Sequence, residues 1–174
     1  MEINAKELTC DWIKTFAASE NLDLYHMTLV YDFFQNGNFH ADNINAFFAT
    51  FYMRRFLPFL LSTKNYHTNF QRTRQPTTFA FVCDHLNKNS EKDHIYSGKL
   101  FNHAIVCVPN AIKDKTCALL GVDTLTKEFS IPKIYNIKYS TFKKCDDVAI
   151  EIATRSIFKY PNYQIFSPKV KFKK

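Results

Sequence analysis

The chain has 174 residues, 46% hydrophobic and 16% aromatic, which is enough to bury a core within one domain and excludes a globally disordered polymer. Its three glycines, Gly37, Gly98 and Gly121, are isolated from one another, so neither a phosphate-cradling loop nor a dinucleotide fingerprint is present and most nucleotide-driven enzymes drop out. A formal net charge of +7 favours a polyanionic partner, nucleic acid first and acidic protein second.

In chain order, residues 4–20 predict a short helix, with Leu8, Trp12 and Phe16 four apart on one face. Residues 26–34, HMTLVYDFF, predict a strand in which Met27, Leu29, Tyr31 and Phe33 alternate with Thr28, Val30 and Asp32. QNGN marks a turn. From Asp42 the period becomes helical, with Ile44, Phe48, Phe51, Tyr52, Phe56 and Phe59 along one side, and Pro58 kinking or ending the helix. Residues 62–76, STKNYHTNFQRTRQP, predict a polar loop rich in bases and rings. TTFAFVCDH (77–85) predicts a second strand, LNKNSEKDHIYSG a charged turn region, and KLFNHAIVCVPN (99–110) a third strand ended by Pro109. A short helix or loop over 111–120 precedes a fourth strand over 133–140.

The last helix is expected over 145–160. Asp146 and Asp147 in its first turn and Arg155 and Lys159 in its last suit the helix dipole, and Pro161 stops it. The tail SPKVKFKK serves as an edge strand or a basic arm. The sum is an α+β domain spanning 1–174, one sheet with helices packed on it. It divides into an N-terminal helical extension (1–25), a core (26–160) and a basic C-terminal tail (161–174).

Five cysteines without a CxxC pair argue against a disulfide framework or a structural zinc site, and Cys83 and Cys107 in apolar runs read as buried thiols. The N-terminus lacks an apolar signal core and no segment approaches the length of a membrane span, so a reduced, cytoplasmic protein away from membranes is expected.

Three constellations carry chemistry. His103 is grouped with Asp84 and His85: the strands holding Asp84 and His103 are joined like a hairpin, and a carboxylate meeting an imidazole on one sheet, with an outside ligand, could hold Mg²⁺ or Mn²⁺; the competing reading is a packed, hydrogen-bonded core histidine. In ATRSIFKYPN, Ser156 and Tyr160 are four apart on a helix, with Lys159 or Arg155 available to stabilise charge in phosphoryl transfer; an amphipathic helix end explains the same residues. Arg54, Arg55, Lys64, Arg72 and Arg74 are interleaved with Tyr66, His67 and Phe70, a mixture suited to neutralising phosphates and stacking on unpaired bases of single-stranded DNA or RNA. Lys169, Lys171, Lys173 and Lys174 add a second basic stripe, and solvated loop charge is the alternative for both.

The order HMTLVYDFF, long helix, TTFAFVCDH, LFNHAIVCVP and a helix ending RSIFKY resembles the HUH endonucleases, the rolling-circle replication initiators and relaxases of phages and mobile elements. The resemblance implies an RRM-like, ferredoxin-like antiparallel sheet and metal-assisted attack of a tyrosine on a DNA phosphodiester. Here His103 matches the second histidine of the His-hydrophobic-His motif and Asp84 the acidic ligand. Phe101 stands in place of the first histidine, Asn102 in place of the hydrophobic residue and Ser156 in place of the tyrosine, with Lys159 three residues on. These departures imply a nucleic-acid-binding protein on an initiator-like scaffold without nicking activity. Two alternatives remain. One is a phage- or plasmid-encoded inhibitor of a host nucleic-acid enzyme, such as a defence nuclease, with its exposed rings as interface anchors. The other is an active metal-dependent nickase whose site is rearranged around Tyr160.

Overall fold

The computed structural model describes residues 5–31, 41–84, 100–117, 137–155, 157 and 163–168. Helix α1 (Ala5–Ser19) leads into β1 (Asp23–Tyr31); α2 (Ala41–Phe51), a π-helical turn (Tyr52–Phe56), α3 (Leu57–Leu61) and the short α4 (Asn69–Arg72) follow. Strands β2 (Thr77–Asp84) and β3 (Leu100–Val108), a 3-10 turn (Asn110–Ile112), α5 (Lys113–Cys117), β4 (Ile137–Lys144), α6 (Asp147–Thr154) and β5 (Gln164–Phe166) complete the described chain.

The five strands form one antiparallel sheet in the order β4-β1-β3-β2-β5. The first four have the order of a ferredoxin-like βαββαβ unit, and β5 extends the sheet beyond β2. Strand alternation sends two sets of apolar side chains to opposite faces. Met27, Leu29, Ala104 and Val106 pack with Phe48 and Phe56 from the α2–α3 layer, and Ile112 at the start of the β3–β4 crossover joins them. Val30, Phe79, Phe81, Phe101 and Ile105 pack on the other face against α1 and α6. Both faces are therefore covered, and the five-strand α+β architecture matches the sequence expectation while the helix coverage exceeds it.

Helix ends follow local chemistry. Asp146 caps α6, its Oδ1 accepting from Ala149 N–H at 2.7 Å, so it precedes the first turn rather than lying within it. Asn21 (φ 52°) and Ser62 (φ 54°) close α1 and α3 in left-handed conformations. Leu22 N–H reaches Ala17 C=O at 2.9 Å and Thr63 N–H reaches Pro58 C=O at 3.1 Å, the long bond of a Schellman end in each case.

Several expectations need correction. The buried stripe of α1 is Cys10, Ile13 and Ala17; Trp12 is 49% exposed and meets Phe79 edge-on at 5.1 Å. α1 is thus part of the core rather than an extension. Pro58 interrupts the long helix without ending it: the helical run is continuous from residue 41 to 61, and the turn directly before the proline is the π turn Tyr52–Phe56. The expected loop over 62–76 contains α4, capped by Thr68. Helix α6 stops at Thr154, with Ile157 N–H closing a turn on Thr154 C=O, six residues short of the expected end. The edge strand forms at Gln164–Phe166, within the expected tail but ahead of its SPKVKFKK stretch.

Candidate nucleic-acid interface

His103 lies at the centre of the sheet, 7% exposed, on the face covered by α1 and α6. Register places it opposite Thr28 on β1 and Phe81 on β2. Its Nδ1 is 2.9 Å from His26 Nε2 and 3.1 Å from Thr28 Oγ1, and the Phe101 ring stands edge-on to it at 5.1 Å. His26 and Thr28 share a strand face, so both reach the same imidazole. Burial, then the neighbouring His26 and the Arg155 guanidinium, hold His103 well below the usual histidine range. Burial lowers His26 to about 4, with Asp146 opposing and Lys143 reinforcing the shift. Both rings are therefore neutral at pH 7.

The register does not set Asp84 across from His103. Asp84 pairs with Leu100, three positions along from the Phe81–His103 pair, and its position has the parity of Ala80 and Val82, which belong to the opposite face. The partners of His103 come from β1 instead. Among the described residues no group of three or more His, Cys, Asp or Glu side chains could hold a metal ion. Two imidazoles hydrogen-bonded to each other, beside one hydroxyl, do not fit Mg²⁺ or Mn²⁺, which require several oxygen ligands. Ser156, Lys159 and Tyr160 lie outside the described residues, as do His85, Lys169, Lys171, Lys173 and Lys174. Arg155 caps the C-terminus of α6 and is exposed, near enough to His103 to influence its charge.

The basic-aromatic segment is on the surface. Arg54 and Arg55 are exposed on the π turn, between buried Tyr52 and Phe56, and Lys64 is exposed just after the left-handed Ser62. Tyr66 rests partly buried against the α2–α3 core with its ring 4.5 Å from that of His67, and the Gln75 amide donates to its carbonyl. Phe70 on α4 is 69% exposed, with the Arg74 guanidinium 5.4 Å from its ring centroid, and Arg72 is exposed beside it. Strand-like placement of these rings on the sheet, as in an RRM, does not occur: they are carried by helical turns and the connection between α3 and β2.

Sequence alone does not single out His26. Its i, i+2 spacing to Thr28 on an expected strand is the available signal, but only the β1–β3 pairing brings the two to His103. Among the described residues no helix is long and apolar enough to cross a membrane. Comparison with protein-family models, curated proteins and solved structures gives no match to this chain.

Proposed function

We propose that this chain is a nucleic-acid-binding protein that engages single-stranded DNA or RNA, on an initiator-like scaffold that binds rather than nicks. The observation that carries the proposal is the surface between Arg54 and Arg74. Four exposed cations and a fifth, Arg74, lying over a ring accompany the exposed ring of Phe70, all outside the packed core. Cations neutralise phosphates without regard to sequence, and ring faces accept unpaired bases, so the ligand class is a single strand. Cys10, Cys83, Cys107 and Cys145 are free thiols, which suits a reducing cytoplasm.

Fluorescence anisotropy of a labelled oligothymidylate across a salt series tests this. The affinity is expected to fall linearly on a log–log plot, by about 0.7 in slope for each phosphate neutralised. Charge reversal at Arg72 and Arg74 is expected to weaken binding and flatten the slope. Absence of binding at low salt overturns the proposal.

A further inference from the structure

The π turn and the end of α3 build a groove that the basic segment alone does not explain. Leu57 N–H donates to Tyr52 C=O, five residues back, and the added residue in this turn leaves Arg54 and Arg55 both exposed while Tyr52 and Phe56 stay buried. The left-handed Ser62 then reverses the chain, so that Thr63 and Lys64 return alongside α3. Arg54, Arg55, Pro58, Phe59, Thr63 and Lys64 are among the residues that line an open groove of ≈ 420 Å³. Its volume lies at the small end of ligand pockets, about 300–1,000 Å³. Three cations face it, and among the described residues no acidic one lines it and none of the three cations has an ion-pair partner. Phe59 is 40% exposed and supplies its apolar surface.

We infer that this groove seats one unpaired nucleotide of a single strand, its base against Phe59 and the flanking phosphates on Arg54, Arg55 and Lys64. The inference rests on the nucleic-acid reading above and assigns it a subsite. Stacking needs an unpaired base, and three cations beside an exposed ring in one small groove suit a ligand that carries a phosphate on each nucleotide and a ring to stack. The groove lies on the α2–α3 layer, which covers the face of the sheet opposite to His26 and His103. A strand held here therefore does not reach the histidine pair without passing around the sheet.

The test compares a labelled oligothymidylate with the same oligomer carrying abasic positions, against the wild-type chain, R54E/R55E and F59A, each checked for wild-type unfolding temperature. The wild type is expected to prefer the oligomer with bases. R54E/R55E is expected to bind both oligomers at least tenfold more weakly, with a salt slope shallower by about 0.7 for each phosphate that is no longer neutralised. F59A is expected to bind oligothymidylate about tenfold more weakly and the abasic oligomer nearly as well as the wild type, since base–ring stacking is removed only from the first. Wild-type binding that R54E/R55E leaves intact overturns the groove while leaving the nucleic-acid reading standing. Equal weakening by F59A on both oligomers, or binding of polyglutamate in place of either, overturns it too. No binding of any oligomer by the wild type overturns the broader reading instead.

Discussion

Tyr31 donates its hydroxyl to Asn102 Oδ1 at 2.8 Å, and Asn102 Nδ2 donates to Phe81 C=O at 3.3 Å, both inside the core. Tyr31→Phe removes the donor and leaves a buried amide oxygen short of a partner, so it is expected to cost about 1–2 kcal/mol, read from denaturant unfolding. The resemblance puts a hydrophobic residue at position 102; what a linear sequence cannot convey is that Tyr31, 71 positions away, satisfies the asparagine found there. The histidine pair, His103 buried and His26 partly so, is a second polar device. One ring donates and the other accepts, so a neutral or singly protonated pair keeps the bond, while a doubly protonated pair sets two N–H groups against each other. His26 is lowered to about 4 and His103 is lowered well below 6.5. The unfolded chain therefore binds protons first as pH falls, and the stability these groups contribute is complete above pH 6.5 and lost as pH falls from 6.5 toward 4. The slope approaches about 1.4 kcal/mol per pH unit for each proton taken up. Unfolding midpoints at pH 7.5, 6 and 5 are expected to decline along that slope in the wild type, and less steeply in His26→Gln.

At the scale of elements, local signals are most legible where they are self-contained. The strands at β2 and β3 carry dense β-branched and aromatic residues, and their sequence pattern places them within a residue or two. Sequence points to Pro58 as the interruption in the long helix, and the irregular turn does lie directly before it, although the helix continues to Leu61. That the irregularity takes the form of a π turn, with Tyr52 and Phe56 both turned inward and their ring centroids 5.8 Å apart, is what the sequence does not convey. Ser62 holds a left-handed conformation that costs a non-glycine residue about 1–2 kcal/mol. Ser62→Gly relieves that cost but loosens the unfolded chain, so a net gain of about 0.5–1 kcal/mol is expected. A thermal unfolding midpoint that does not rise would mean that the serine side chain compensates locally.

For the whole molecule, the decisive feature is a sheet covered on both faces. A ferredoxin-like βαββαβ unit keeps its helices on one side; here α1 and α6 close the other, with Cys10 Sγ 3.1 Å from Thr154 Oγ1 and Lys14 Nζ 3.0 Å from Asp147 Oδ1. Sequence periodicity favours Leu8, Trp12 and Phe16 as the inward stripe of α1, because they are large and four apart. Which face of a helix turns inward is set by what covers it, and the sheet surface of Val30, Phe79 and Ile105 is assembled from three separate strands that no local window contains. The two assignments make opposite demands. If the cover is held by burial along Cys10, Ile13 and Ala17, Ile13→Ala opens a cavity and is expected to cost about 2–4 kcal/mol in denaturant unfolding. Trp12→Ala, despite deleting the largest side chain in the helix, removes a half-exposed ring that meets Phe79 edge-on at 5.1 Å and Phe16 at 6.1 Å, and is expected to cost less than half as much. Lys14→Met breaks an ion pair whose Asp147 end is largely in water, and the unfolding temperature is expected to stay unchanged. The reverse order, with Trp12 costing more than Ile13, would mean that α1 rides on the edge of the sheet, leaving Phe101 and His103 open to a ligand as an RRM face would be.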